Sequence, residues 1–254
     1  MRCNIVQISF EGRIALVTGA TRGIGKQIAD DLKRLGAELI LTGTDHEEIS
    51  KLKRAGRRRT PTCHWHVVDF MNAGSVKTFL KKIEAYERID ICINNAGINR
   101  INPIDKMQEE DWQDILRVNL DGPFLVTRSV SRIMKKHRYG RIVNIGSVFG
   151  VISKEKRAAY SVTKFGIRGL TAASALDLAP DNVLVNTVSP GFVSTDLTRR
   201  ILGRKGMQEM ASKVPLGRLA SPDEISRVVL FMASALNTYM TGQNIIVDGG
   251  FVNV

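Results

Sequence analysis

Tyr160 and Lys164 stand four residues apart and offer this chain its clearest acid–base chemistry. Apolar residues at helical spacing follow them, which places both side chains on one face of a predicted helix. A free phenol has a pKa near ~10, and a neighbouring cation lowers that pKa toward the working range. Ser147 follows an apolar run, residues 140–146, that is typical of a buried parallel strand, and the carboxyl end of such a strand is where open α/β sheets bind ligands. A hydroxyl, a phenol and an ammonium at one place predict proton transfer at a carbonyl oxygen.

A strand, a turn and a helix near the start of the chain predict a nucleotide site. An apolar run from Arg13 to Thr18 enters a turn with glycines at positions 19, 23 and 25, and a helical pattern follows until Gly36. Glycines allow close approach of the backbone to a ligand, and the free amides at a helix N-terminus bind a pyrophosphate.

Several motifs together resemble the short-chain dehydrogenase/reductase family over residues 12–251. They are Thr18 with its Gly-x-x-x-Gly-x-Gly turn, the run Asn94-Asn95-Ala96-Gly97, and Ser147 followed by Tyr160 and Lys164. The resemblance implies hydride transfer between a nicotinamide cofactor and a carbonyl or secondary alcohol. It also implies a doubly wound, mainly parallel α/β sheet of about seven strands with flanking helices, a Rossmann fold.

The resemblance assigns a catalytic tetrad of Asn119, Ser147, Tyr160 and Lys164. Ser147 would hydrogen-bond the carbonyl oxygen and Tyr160 would donate its proton. Lys164 would bind the nicotinamide ribose and lower the pKa of Tyr160, while Asn119 would distort its helix and hold a water that links Lys164 to solvent. The implied cofactor-binding residues are Gly19, Thr21, Arg22, Gly23, Ile24, Gly25, Thr44, Asp69, Phe70, Asn95, Ala96, Gly97, Tyr160, Lys164, Pro190, Gly191, Val193 and Thr195.

The end of the predicted second strand indicates which nicotinamide cofactor is used. An acid at this point would accept hydrogen bonds from the ribose hydroxyls of NAD. The chain has Gly43 and Thr44 there, and Arg22 lies in the glycine-rich turn. A cation suits a 2′-phosphate, so we expect NADP(H) to be preferred, with NAD(H) as a possible second cofactor.

Composition limits the other classes of protein. The 254 residues are long enough for one large core, and we expect a single domain over residues 1–254, with a substrate lid near residues 196–219. No run of apolar residues is long enough for a membrane-spanning helix and the first ten residues lack the core of a secretory signal, so we expect a cytoplasmic protein without membrane association. Cys3, Cys63 and Cys92 are unclustered, which favours reduced thiols, and His64 with His66 lacks a third ligand, so we expect no metal site.

The formal charge of +12 is concentrated in two blocks, residues 51–59 and 128–141, each with six cations and no acid. Solvated helix faces explain such blocks better than nucleic-acid binding, because no nucleic-acid motif accompanies them. A nonenzymatic NADPH-sensing or nucleic-acid-binding protein on the same fold is a remote alternative, because such proteins usually lose a catalytic residue and this chain has all four of the tetrad.

The substrate is open between two classes. The chain is most similar to 3-oxoacyl-[acyl-carrier-protein] reductases, where a basic residue at the position of Arg138 can meet the acidic carrier protein, although Asp181 stands where a further basic residue is expected. Alternatively, Lys154, Lys156 and Arg157 would receive the carboxylate of a sugar acid, as in reductases of keto-gluconates. Members of the family commonly associate through the last strand and two long helices, so we expect a homotetramer.

Overall fold

The computed structural model describes residues 7–56 and 63–253. Cys3 and most of the segment weighed as a signal lie outside the described residues, as do the three arginines at 57–59 of the first basic block.

Seven parallel strands form one sheet, in the order β3-β2-β1-β4-β5-β6-β7. The chain runs outward from β1 to β3 and then returns to place β4 beside β1, so the strand order reverses between β1 and β4. Ligands bind at the carboxyl edge of such a reversal point. The predicted doubly wound sheet is confirmed. The strands are β1 (Ile14–Val17), β2 (Glu38–Gly43), β3 (Cys63–Val67), β4 (Ile91–Asn94), β5 (Gly140–Ile145), β6 (Val183–Pro190) and β7 (Asn244–Val247).

Helices cover both faces of the sheet, because alternate strand residues point to opposite sides. The helices are α1 (Gly23–Arg34), α2 (His46–Gly56), α3 (Ala73–Glu84), α4 (Glu109–Leu116), α5 (Gly122–His137), α6 (Ala158–Leu178), α7 (Asp196–Ser212) and α8 (Pro222–Ala233). Val17 of β1 packs with α1 and α8, whereas Leu16 packs with α3 and α5.

Two predicted elements differ from the observed ones. The sequence predicts one long helical segment over residues 110–137, but a π-helical turn at Arg117–Asp121 separates α4 from α5. The sequence also predicts a third strand over residues 64–70, whereas β3 ends at Val67. It ends early because the chain turns: the Asp69 carboxylate accepts a hydrogen bond from the backbone N–H of Met71, at 2.9 Å.

In the two described ranges, no helix has the length and apolar character that a bilayer crossing needs. Nor does that part of the chain contain three or more His, Cys, Asp or Glu side chains grouped as metal ligands would be. His66 instead lies 3.1 Å from the hydroxyl of Tyr86, and its pKa falls to about 4 because burial disfavours the charged ring.

Candidate active site

The N-terminus of α1 is open to an anion. Gly19 and Gly23 have φ angles of 64° and 59°, which side chains other than glycine rarely adopt, so the turn depends on these two glycines. Arg22 is the N-cap residue of α1, but its side chain makes no capping hydrogen bond, and the first turn contains no acid. The amides of this turn therefore fit the pyrophosphate of a dinucleotide.

Asn95 fixes the shape of that turn. Its side-chain Nδ2 donates to the carbonyls of Thr18 and Gly19, at 3.0 and 2.9 Å. In return, Thr18 Oγ1 accepts from the backbone N–H groups of Asn95 and Ala96, each at 3.0 Å. A β-carbon on Gly25 would overlap with Asn95 Nδ2 and the Gly19 carbonyl, so the helix and the two loops can meet only at a glycine. The side chain of Asn95 thus positions the turn.

A buried polar chain crosses the sheet behind this loop. Asn94 Nδ2 donates to Asn144 Oδ1 at 2.8 Å, and Asn144 Nδ2 donates to Thr171 Oγ1 at 2.8 Å. The hydroxyl of Thr171 lies 2.7 Å from that of Thr187. The chain links β4, β5, α6 and β6, so it holds the loop after β4 and the helix that carries Tyr160 in a fixed relation. The sequence analysis missed Asn144, Thr171 and Thr187, although polar residues inside buried strands were a signal for Asn144 and Thr187.

Asn119 lies in the π-helical turn and is 1% exposed. Its Oδ1 accepts from the N–H of Ile98 at 2.8 Å, and its Nδ2 donates to the carbonyl of the same residue at 2.9 Å. A β-carbon on Gly97 would lie 3.4 Å from Asn119 Oδ1 and 4.0 Å from Lys164 Nζ. Gly97, Asn119 and Lys164 therefore meet at one point, and the local helix distortion predicted for Asn119 is present.

Ser147 and Lys164 converge at the carboxyl end of β5. The Ser147 hydroxyl accepts from the N–H of Phe149 at 3.1 Å, and Lys164 Nζ donates to the carbonyl of Ile145 at 2.8 Å. Tyr160 lies one turn before Lys164 on α6, and Lys164 Nζ is 5.6 Å from the centroid of its ring. Ser147 and Lys164 are buried, whereas Tyr160 is partly exposed. The predicted hydroxyl, phenol and ammonium are thus brought together.

The electrostatics of this cluster differ from the sequence expectation. The pKa of Tyr160 is raised, chiefly because burial disfavours the phenolate, while the hydrogen bond with Ser147 and the charge of Arg157 act to lower it. Burial also lowers the pKa of Lys164 from 10.5 to about 8. The ammonium of Lys164 donates its hydrogen bond to the Ile145 carbonyl. Because the pKa of Tyr160 is raised, its phenol is protonated at neutral pH.

The expected adenosine side of the site lies at the ends of β2 and β3. Thr44 and Arg22 are exposed, and the neighbouring Asp45 accepts from the N–H of Glu48 at 2.9 Å, which caps α2. The Asp69 backbone N–H donates to Ser75 at 3.0 Å, and Phe70 is buried. Within this described part of the chain, no acid lies at the end of β2, where it would accept hydrogen bonds from the ribose hydroxyls of NAD.

The segment after β6 lies over the glycine-rich turn. Pro190 ends β6, the N–H of Gly191 donates to Val247, and Val193 forms a parallel bridge with Ala220. Thr195 caps α7, and its Cγ2 would lie 3.6 Å from a β-carbon on Gly23. The predicted nicotinamide segment and the predicted pyrophosphate turn are therefore neighbours. Thr21 lies in that turn, and Ile24 lies in the first turn of α1.

Three phenylalanines form an apolar wall beside Ser147, and the sequence analysis did not identify it. The ring centroids of Phe149 and Phe192 are 6.4 Å apart, and those of Phe192 and Phe251 are 4.9 Å apart, both edge to face. Phe149 follows the serine by two residues and Phe192 lies within the nicotinamide segment, so their positions beside two motifs were the available signal.

Comparisons with known proteins agree with this geometry. The family model described as Enoyl-(Acyl carrier protein) reductase matches residues 19–252. The 3-oxoacyl-[acyl-carrier-protein] reductase FabG of Aquifex aeolicus is 42% identical over 247 residues, covering 96% of this chain and 99% of that protein.

Solved structures with more than 30% identity to this chain share its fold, and two of them illustrate the likeness. A gluconate 5-dehydrogenase from Burkholderia cenocepacia, in complex with NADP and tartrate, has a TM-score of 0.89 and 33% identity, covering 97% of each chain. A 3-oxoacyl (acyl-carrier-protein) reductase from Agrobacterium tumefaciens with NADP bound has a TM-score of 0.87 and 32% identity, covering 95% of each chain. With its sheet order, its glycine-rich turn and its Ser–Tyr–Lys cluster, the chain belongs to the short-chain dehydrogenase/reductase family of oxidoreductases.

Proposed function

We propose that this protein is an NADPH-dependent carbonyl reductase whose principal substrate is a 3-oxoacyl thioester carried by acyl carrier protein. The observation that carries the proposal is the convergence of Ser147, Tyr160 and Lys164 at the carboxyl edge of β5, on the same edge of the sheet as the open N-terminus of α1. The 42% identity with a FabG protein over nearly the whole chain supports the choice of substrate.

In this proposal NADPH, when bound, supplies the hydride. Tyr160 donates its proton to the carbonyl oxygen, and its raised pKa keeps that proton in place at neutral pH. Ser147 hydrogen-bonds the same oxygen. Lys164 holds the ribose beside the nicotinamide and returns the proton to Tyr160, and Asn119, across Gly97 from Lys164, keeps the end of that relay in place.

The cofactor-binding roles are those that the family resemblance implies. The amides of Gly23, Ile24 and Gly25 would hold the pyrophosphate, Asp69 and Phe70 would contact the adenine, and Val193 with Thr195 would hold the nicotinamide. Arg22 and Thr44 would hold the 2′-phosphate of NADPH, because Asp45 is occupied in capping α2.

The NADPH preference is tested with Arg22→Ala. A charge-assisted hydrogen bond contributes about 1.5–3 kcal/mol, so the variant should bind NADPH about 10-fold to 100-fold more weakly while NADH binding changes little. Lys26→Ala, an exposed cation one turn along α1, is the matched control. Equal losses for NADPH and NADH in Arg22→Ala would contradict the assignment, and fluorescence titration of both cofactors measures it.

Sugar acids are the second candidate substrate. The neighbour from Burkholderia cenocepacia is a gluconate 5-dehydrogenase, and its structure contains tartrate, a hydroxy acid. In addition, Asp181 lies 3.0 Å from Lys135 and 3.8 Å from Arg138, so the helix end expected to meet an acidic carrier protein is partly neutralised. Carrier docking would then depend more on the exposed Arg128, Arg132 and Lys136.

Two further features of the proposal concern the whole chain. We place the substrate lid at residues 196–219 of a single domain, since α7 is kinked at Gly203, where φ is 62° and ψ is −175°. We also propose a homotetramer. Apolar side chains exposed on α5 and α6, Phe124, Val162 and Phe165, and the edge strand β7 with Ile246 at 37% exposure, are the surfaces that a second copy would cover. Sedimentation as a monomer at micromolar concentration would contradict it.

The deciding experiment compares initial rates of NADPH oxidation with a 3-oxoacyl thioester and with a keto-gluconate. A higher kcat/KM for the thioester supports the proposal, and a further gain when the thioester is attached to acyl carrier protein supports docking. Turnover of the keto-gluconate alone would replace the principal substrate with the sugar acid. Ser147→Ala, which removes the hydroxyl, serves as the catalytic control.

A further inference from the structure

One nitrogen of the Arg157 guanidinium, Nη1, is buried and makes no hydrogen bond within the described residues, although the side chain as a whole is partly exposed. Arg141, which is buried as a whole, behaves differently: it is 4% exposed and donates to three carbonyls, those of Asn237, Gly140 and Asn182. A buried donor left unpaired costs about 1–3 kcal/mol, and more when it is charged.

Arg157 lies beside the reacting groups. It is the N-cap residue of α6, three residues before Tyr160, and the charge of its guanidinium acts on the Tyr160 phenol. Its Cζ lies 5.7 Å from the ring centroid of Phe149, the first member of the apolar wall beside Ser147. Tyr160 and Glu155 are the charged or titratable groups that act on it, and burial lowers its pKa.

The neighbouring cations of the same loop are not placed in this way. Lys154 pairs with Glu155 at 3.5 Å, and Lys156 is exposed, with a φ of 63°. Of the three cations that the sequence analysis considered as carboxylate receptors, only Arg157 has a buried side-chain nitrogen without a partner and lies against the apolar wall.

We propose that Arg157 is a specificity-determining residue that donates a hydrogen bond to a second oxygen of the substrate, next to the reacting carbonyl. This inference rests on the proposed function, since it requires a ketone to be reduced at Tyr160. Two sources fit the shared chemistry: the thioester carbonyl of a 3-oxoacyl chain and the carboxylate of an oxo acid. In both, the oxygen completes the hydrogen bonding of Nη1 while Tyr160 faces the ketone.

The test compares substrates with and without the second oxygen. For wild type, Arg157→Ala and Arg157→Gln, kcat/KM is measured with a 3-oxobutanoyl thioester, a 3-oxo acid and cyclohexanone, which lacks the second oxygen. Arg157→Ala should lower kcat/KM by about 10-fold or more for the oxygen-bearing substrates and by less than about threefold for cyclohexanone. Any effect of the lost charge on Tyr160 is common to all three substrates, so it cancels when their kcat/KM values are compared as ratios.

The variants also separate the two oxygen sources. Glutamine keeps N–H donors but not the charge, so Arg157→Gln should retain much of the activity with a thioester and lose it with a carboxylate. Lys156→Ala is the matched control. It should not change kcat/KM for the thioester, or for the oxo acid, relative to kcat/KM for cyclohexanone. NADPH binding in each variant, measured by fluorescence, confirms that the fold is retained.

Each outcome has one meaning. A similar fall for all three substrates, or no fall, would overturn the role of Arg157. If wild type reduced the oxo acid but not the thioester, the thioester proposal would be refuted. The role of Arg157 would then be tested by comparing kcat/KM for the oxo acid with kcat/KM for cyclohexanone. If wild type reduced cyclohexanone but neither oxygen-bearing substrate, both the thioester proposal and the role of Arg157 would be overturned.

Discussion

Replacing Lys164 with methionine should make the cofactor-free protein more stable at neutral pH while removing its activity. Burial lowers the pKa of Lys164 from 10.5 to about 8, and at about 1.4 kcal/mol per pH unit this corresponds to a cost of about 3 kcal/mol for the buried ammonium. The hydrogen bond to Ile145 offsets about 1 kcal/mol of that cost. Lys164→Met should therefore be more stable by about 2 kcal/mol at pH 7.

The pH dependence of this difference follows from the direction of the pKa change. Between about pH 8 and 10.5 the unfolded chain binds the proton at Lys164 more tightly than the folded chain does, so wild-type stability rises with pH. Below pH 8 both states are protonated, and the full cost is present. The advantage of Lys164→Met should accordingly narrow to near zero by about pH 9.5.

Urea unfolding without cofactor, at one protein concentration and at about pH 7 and pH 9.5, measures both effects. Lys51→Met, which replaces an exposed lysine in α2, is the control. It should show neither the gain in stability at pH 7 nor the narrowing of that gain at pH 9.5. A Lys164→Met protein that is less stable than wild type at pH 7, or a difference that does not narrow with pH, would refute the assigned cost of burying Lys164.

Three other predictions address the site and its support. For reduction, kcat/KM should fall as the pH rises through about 8, because Lys164 loses its proton; a flat profile to about pH 10 would contradict this. Asn144→Ala should lower the free energy of unfolding by about 1–3 kcal/mol in urea, because Asn94 loses its buried acceptor; an unchanged midpoint would count against the polar chain. Gly25→Ala should weaken NADPH binding at least about 10-fold in a fluorescence titration, whereas Gly169→Ala, where the added β-carbon has open space, should not; similar affinity in the two variants would contradict the close packing of the turn.

The architecture was predictable because local signals agreed with one another. The turn at Gly19 and Gly23 and the run from Asn94 to Gly97 each mark the end of a strand. Apolar strands alternating with helical patterns then leave few topologies open. The sheet order and the meeting of Ser147, Tyr160 and Lys164 follow from these signals and the resemblance they support.

Contacts between distant segments were not predictable. The family resemblance implies that Asn94 ties neighbouring strands, but nothing local shows that its partner is Asn144, 50 residues away. The role of Asn95 in holding the Gly19 turn is equally a tertiary contact. The rise in the pKa of Tyr160 depends on how deeply its hydroxyl is buried, which a Tyr-x-x-x-Lys spacing does not contain. The unpaired guanidinium of Arg157 likewise depends on what surrounds it.

The central claim, that Tyr160 is the proton donor of an NADPH-dependent reductase, is tested most directly by comparing Tyr160→Phe with wild type. Cofactor affinity is measured by fluorescence titration, and turnover by oxidation of NADPH with a 3-oxoacyl thioester. We predict that Tyr160→Phe binds NADPH within about threefold of wild type and loses turnover by at least about 100-fold, since the ring is kept and only the proton donor is removed. Turnover retained in Tyr160→Phe would contradict the account.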